Sequence, residues 1–170
     1  MNRKTHFLGA LSRYDNYLIC SHENPDADSI GAMLTVYHYL KLLGKNCTMV
    51  VTDPVPDWPL PGIEQIQPVP VQDYEHVIVL DCEPKRTGSL LPLVNKAKVT
   101  FNIDHHKDNQ GICTYNYIDT GQAATCMILY QLFKAVGINF DYELAQPLYA
   151  GIVGDTGGFR HANTTSDVFL

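Results

Sequence analysis

Four separated stretches of this chain carry aspartate and histidine at spacings that suit metal binding. They are His22-Glu23-Asn24-Pro25-Asp26-Ala27-Asp28-Ser29, the lone Asp81, Asp104-His105-His106, and residues 151–161 with Asp155 near their centre. In the first, two carboxylates stand two residues apart with an imidazole four before the first, a set that repels itself unless a cation lies between. Hard divalent ions take oxygen ligands and imidazole suits transition metals, so the mixture favours Mn²⁺, with Mg²⁺ or Co²⁺ as alternatives. Glu23 reads as a solvated turn residue. Asp81 follows a wholly apolar run, and burying an unpaired carboxylate costs several kcal/mol. It therefore needs a partner: two metals that it bridges, or a salt bridge to Arg86. In Asp104-His105-His106 adjacent side chains point in different directions. One histidine can ligate a metal while the other faces substrate as a proton donor, with Asp104 orienting one of them. Asp155 offers a further oxygen ligand, the glycines around it let the backbone approach a ligand, Arg160 can fork onto a phosphate and His161 can bind it.

The elements that must position these groups alternate strand and helix. That is the pattern of an α/β domain, Rossmann-like in three layers, with a mostly parallel central sheet. Apolar runs predict strands over 16–20, 47–52, 76–80, 98–103 and 115–118. Helical spacing predicts a helix over 29–43, capped by Ser29 or Asp28 and stopped by Gly44. Two more are predicted over 122–136, closed by Gly137, and over 141–153, capped by Asp141 with a kink or break at Pro147. Residues 54–62 are too proline-rich for a regular element; with Trp58 they form either a flap over the site or a subunit contact in a homodimer. Three of the clusters fall directly after predicted strands, and ligands of open parallel sheets bind beyond the carboxyl ends of the strands. Any one such aspartate is an ordinary turn residue or cap. Three in succession, two of them with histidine, point to one shared site.

Composition narrows the function classes. A chain of 170 residues, 45% hydrophobic and 18% charged, suits one globular domain. The net charge of −6 disfavours broad binding of duplex DNA, which needs phosphates neutralised by Lys and Arg. It leaves room for a phosphate-bearing ligand held through bound cations. Cys20, Cys47, Cys82, Cys113 and Cys126 are odd in number and unpatterned, which predicts reduced thiols and neither disulfides nor a zinc finger. No signal peptide opens the chain and no apolar run approaches the ~20 residues that span a bilayer, so the expected location is the cytoplasm, away from membranes. The sequence stops at Leu170 just after a helix-capping pattern at Thr164-Thr165-Ser166-Asp167, which predicts the first domain of a longer protein.

Together these stretches resemble the DHH phosphoesterase family, whose name is the motif seen here as Asp104-His105-His106. Its motifs stand in order as HENPDADSIG at 22–31, VIVLDCEPKRTG at 77–88, FNIDHHKDN at 101–109 and GIVGDTGGFRH at 151–161. The likeness runs from Tyr17 to Ser166 and takes in NYIDTGQAATCMI at 116–128. The most similar subgroup is the RecJ-like one of oligoribonucleases, phosphatases of 3′-phosphoadenosine 5′-phosphate and cyclic-dinucleotide phosphodiesterases. The resemblance implies a catalytic domain over 1–170, a substrate-gripping second domain beyond it, and a two-metal site usually holding Mn²⁺. His22, Asp26 and Asp81 would hold one ion, and Asp28, Asp81, His105 and Asp155 the other, with Asp81 as the bridge. His106 would contact the scissile phosphate or its attacking water, and Arg160 and His161 would touch substrate. The implied activity is hydrolysis of short oligonucleotides, nucleotide bisphosphates or cyclic dinucleotides. Pyrophosphate or polyphosphate is the alternative substrate. A non-catalytic nucleotide-sensing module would carry a degraded ligand position, and none is degraded.

Overall fold

The computed structural model describes residues 3–70 and 72–169. Its strands are β1 (Tyr17–Cys20), β2 (Cys47–Met49), β3 (His76–Leu80), β4 (Val99–Asp104) and β5 (Tyr115–Ile118). The helices are α1 (Arg3–Leu11), α2 (Ala27–Leu42), α3 (Leu91–Lys96), α4 (Thr125–Lys134) and α5 (Tyr142–Asp155), joined by short 3₁₀ turns. The strands form one sheet in the order β2-β1-β3-β4-β5, every neighbouring pair parallel. Alternation along the strands feeds two cores. Tyr17, Ile19, Ile78, Leu80, Phe101 and Ile103 face the larger one, with the apolar sides of α1, α2, α4 and α5. Leu18, Cys20, Val77 and Val79 face a smaller one beside Leu90 and Val94 of the α3 region. Such sandwiching explains why β1 and β3 are apolar on both faces. The expected three-layer α/β architecture is the observed one.

Strand order reverses between β1 and β3: the chain leaves β1 for β2 on one side and returns to β3 on the other. A crevice opens at such a switch point beyond the strand ends. His22 follows β1 and Asp81 follows β3, so both flank this point.

Several element boundaries differ from the sequence expectation. The cap of α2 is Asp26, neither Ser29 nor Asp28: its Oδ1 accepts from Ser29 N at 2.9 Å, and Ser29 Oγ accepts from Asp26 N at 2.9 Å. That reciprocal box starts the helix early and puts Asp28 inside its first turn. β4 runs on through Asp104, which the register pairs with Ile118. β2 is cut to three residues. α4 starts at Thr125, because Ala124 is extended (φ −158°, ψ 155°) and Gln122 closes a turn onto Asp119. Pro147 neither breaks nor ends α5, which runs through to Asp155. Its missing N–H leaves only the carbonyl of exposed Glu143 without a helical donor, where water can serve. Helices α1 and α3, unforeseen in the sequence, are short, and no side-chain cap announces the start of α3.

Helix α2 crosses α5 at close range, and small residues permit it. A Cβ on Gly31 would strike Pro147 O, one on Gly151 would lie 2.8 Å from Asp28 Oδ1, and one on Gly154 would lie 2.6 Å from Ala27 Cβ. Backbone approach at this crossing therefore sets where Asp28 sits. We expect Gly31→Ala to destabilise the domain by about 1–3 kcal/mol in chemical denaturation. Gly9→Ala in α1, where nothing lies within 4 Å, should instead raise stability by up to ~1 kcal/mol.

Candidate metal centre

The crevice is built from four chain segments. The loop after β1 is pinned to the end of β3 by Ser21 Oγ, which donates to Leu80 O at 2.6 Å. His22 Nδ1 donates to the Glu23 carbonyl at 2.8 Å, since a carbonyl can only accept. That orients Nε2 inward, 3.6 Å from Asp81 Oδ2 and 3.8 Å from Asp26 Oδ2. His105 repeats the device on the other side. Its Nδ1 donates to Gln122 O at 3.2 Å, and its Nε2 stands 3.1 Å from Asp155 Oδ2 and 3.6 Å from Asp81 Oδ1. Each imidazole thus turns one nitrogen to a fixed carbonyl and the other to the carboxylates, as metal-binding histidines do.

Asp81 is the centre of this arrangement. It is buried, and its backbone is in the left-handed region at φ +60°, a conformation that only Gly, Asn and Asp visit readily. Its oxygens face opposite ways, Oδ2 to His22 and Oδ1 to His105, with Thr125 Oγ1 donating to Oδ1 at 2.8 Å. Among the described residues no ion pair joins Arg86 to Asp81, so that salt-bridge alternative is not realised.

Asp28 is fully enclosed and is met by the free amides at the start of α4. Thr125 N donates to Oδ2 at 2.6 Å and Cys126 N to Oδ1 at 3.0 Å. A helix N-terminus favours negative charge. Even so, burial first and the Asp81 charge second push the Asp28 carboxyl well above its ordinary range. Hydrogen bonding to Asp26 and then Asp81 raises His22 to about 10. For His105, burial acts to lower the value, but the Asp155 hydrogen bond and the charges of Asp28 and Asp81 outweigh it and carry it to about 9.

Asp104 does not face the crevice centre. It lies behind His106, taking His106 Nδ1 at 2.8 Å and His106 N at 3.1 Å on Oδ1. Its Oδ2 accepts from Asn109 Nδ2 at 2.5 Å, and that same amide bonds Asn102 Oδ1 at 2.8 Å. Asn102 is itself buried and tied to Val79 O and Cys82 O. His106 is held in one orientation by these bonds, at the edge of a crevice of about 370 Å³ that Lys107, Thr120, Gln122 and Asn163 also line.

The structure therefore gathers His22, Asp26, Asp28, Asp81, His105, His106 and Asp155. Ligand atoms of His22, Asp26 and Asp81 lie within 4.8 Å of one another, as do those of Asp28, His105 and Asp155, and those of Asp81, His105 and His106. Arg160 and His161 lie outside these groups. Arg160 Nε donates to Gly157 O at 3.0 Å, while His161 packs on Gly157 and its Nδ1 meets Asp155 O at 3.2 Å. Nothing in the local sequence signals a role for Thr125, the Cys126 amide or Asn109. A helix start at Thr125 would have exposed the first two, because free amides there require an acceptor.

The profile of the DHH family, N-terminal domain, matches residues 16–152. The chain belongs to the DHH family. A curated relative, the bifunctional oligoribonuclease and PAP phosphatase NrnA of Thermus thermophilus, is 35% identical over 88% of this chain and 46% of its own length. The protein of the same description from Bacillus subtilis is 28% identical over 95% of this chain and 53% of its own. A solved exopolyphosphatase-related protein from Bacteroides fragilis superposes with a TM-score of 0.86 at 26% identity, covering 98% of this chain and 54% of that one. The DHH domain described here spans about half the length of the curated relatives it matches. Among its described residues no helix is long and apolar enough to cross a membrane, and all five cysteines are free.

The raised histidines carry a pH signature in the metal-free domain. A folded-state value above the unfolded ~6.5 gives stabilisation that is complete below ~6.5 and is lost as pH climbs through about 9 to 10. In chelator, the stability difference between the unaltered domain and His22→Gln should shrink from pH 6 to pH 10, read from denaturation midpoints. A difference that stays level or grows would contradict it.

Proposed function

We propose that this DHH domain is the catalytic part of a divalent-metal phosphoesterase acting on short oligonucleotides or nucleotide bisphosphates. One observation carries the reading: the two oxygens of Asp81 face two separate histidine–carboxylate groups. His22, Asp26 and Asp81 would hold one ion, and Asp28, Asp81, His105 and Asp155 the other. The donor set fits Mn²⁺, being oxygen-rich with one imidazole on each side. Bound ions of this kind acidify a water and neutralise charge on phosphoryl oxygens.

The chain's own residues do the rest. Crowded carboxylates that repel one another when empty pull cations in. The carbonyls of Glu23 and Gln122 keep both ligating nitrogens aimed inward. His106, braced by Asp104 through Nδ1, would present its Nε2 to the substrate and donate to a phosphoryl oxygen or to the leaving oxygen. Arg160 and His161 are assigned to the substrate rim. The two NrnA relatives, an oligoribonuclease and PAP phosphatase by name, support the nucleotide substrates. A relative described as a probable manganese-dependent inorganic pyrophosphatase, from Lactobacillus helveticus and 24% identical, supports Mn²⁺ and makes pyrophosphate the comparison substrate.

The test is turnover by the full-length protein in Mn²⁺ on di- to pentanucleotides, the adenosine bisphosphate, cyclic dinucleotides and pyrophosphate. Asp81→Asn should abolish turnover and release bound Mn²⁺ with the fold intact. Asp104→Asn should keep the metal yet lower kcat by about 10²-fold, the share of one positioned acid. Because neutral imidazole is the ligand, Mn²⁺ uptake at pH 7 should release protons, measured by calorimetry in buffers of different ionisation enthalpy. Metal-dependent turnover that survives Asp81→Asn would sink the proposal.

A further inference from the structure

A second groove, of about 350 Å³, lies where the start of α2 meets the end of α5, lined by Ala27, Trp58, Leu60, Tyr149, Val153 and Gly154. It carries no charged side chain, and it adjoins the metal centre through the chain itself. Ala27 stands between Asp26 and Asp28, and Gly154 precedes Asp155. Two aromatic side chains flank it: Trp58, partly exposed, and Tyr149, 59% exposed on α5.

Trp58 is held in place by its segment. Asp53 Oδ2 accepts from Asn24 N at 2.8 Å, tying the segment's start to the loop that carries His22 and Asp26. His38 Nε2 donates to Pro61 O at 3.0 Å, tying its end to α2. Between these anchors Trp58 N bonds Pro56 O at 2.9 Å and Leu60 N bonds Trp58 O at 2.8 Å, two successive tight turns among four prolines. Proline fixes φ, so little freedom remains to be lost when something settles on the indole.

We propose that this groove is the nucleobase subsite of the metal centre. A base stacks against Trp58 and Tyr149 while the phosphate of its nucleotide lies at the Asp81 cluster. The assignment rests on the phosphoesterase reading. A base is the occupant that fits an apolar, aromatic, uncharged groove beside an anion-handling site, because its faces are apolar and its edges reach solvent. Charge supports it too. A domain of net charge −6 gains little from phosphate contacts to Lys and Arg, and stacking supplies affinity that does not depend on them. Stacking reads no particular base, so all four bases enter and purines, having the larger face, bind better.

Trp58 is the single tryptophan of the sequence, so its emission reports on the groove directly. In Mn²⁺, adenosine monophosphate should quench it saturably, and ribose 5-phosphate, which lacks a base, should not. Tyr149→Ala, at an exposed position, should weaken adenosine monophosphate binding about tenfold, the size of one base-on-aromatic stack. Trp58→Ala should raise KM about tenfold for a dinucleotide and leave an abasic dinucleotide unchanged. Equal quenching by both ligands, or unchanged affinity in Tyr149→Ala, overturns the subsite. So does emission that responds to protein concentration and not to nucleotide, which assigns the groove to a second copy of the chain. If quenching behaves as expected but no phosphoester is hydrolysed, the base subsite stands and the hydrolytic reading falls.

Discussion

Negative charge confined at the switch point of the sheet is the constraint on which the rest of this structure depends. Asp26, Asp28, Asp81 and Asp155 converge there, and among the described residues only histidines form ion pairs with them. Asp28 and Asp81 are buried, Asp155 is partly so and Asp26 is exposed; carboxylates this close together are costly without compensation, the buried pair most of all. Each therefore has a specific answer in the fold: the α4 amides for Asp28, the Thr125 hydroxyl for Asp81, and imidazoles shared among Asp26, Asp81 and Asp155. The compensation is partial, as the raised Asp28 carboxyl shows. A site left short of positive charge, with its nitrogens already aimed, has the donor atoms that the proposed cations would need.

Positioning comes from the framework in layers. The parallel sheet places the loops after β1, β3 and β4 side by side. The α2–α5 crossing, made possible by Gly31, Gly151 and Gly154, brings Asp28 and Asp155 to the same point from two helix ends. The left-handed backbone at Asp81 turns its side chain back into the crevice at the end of a buried strand. Strain of this kind persists where the surroundings over-determine it, and here hydrogen bonding on both sides does so.

The two flanks of the centre differ in chemistry. Beside His106 the lining residues carry polar groups, the hydroxyls of Thr120 and Thr165, the amides of Gln122 and Asn163, and Lys107. Beside Asp26 the lining is apolar and aromatic. A nucleotide has the same division between sugar-phosphate and base, so the asymmetry of the centre parallels that of the substrates proposed for it.

Much of this was legible in the sequence, because short-range chemistry encodes it. Apolar runs marked β1, β3 and β5, and the position of Asp81 and His22 just past such runs was enough to predict a shared crevice. The residues of the cluster were readable because few other roles suit aspartate and histidine at those spacings. What the sequence could not show depends on contacts far apart in the chain. The choice of Asp26 as cap turned on a reciprocal bond that several nearby residues offered equally. Thr125 and Cys126 gained their roles only when α4 met Asp28, 97 and 98 residues away. That Asp104 orients a neighbouring histidine was legible in the sequence, whereas the choice of His106 was decided by β4 running on through Asp104. The ligand types were thus determined locally, by side-chain chemistry, whereas their orientation and compensation were decided by tertiary packing, which alone brings distant amides and carbonyls within hydrogen-bonding reach.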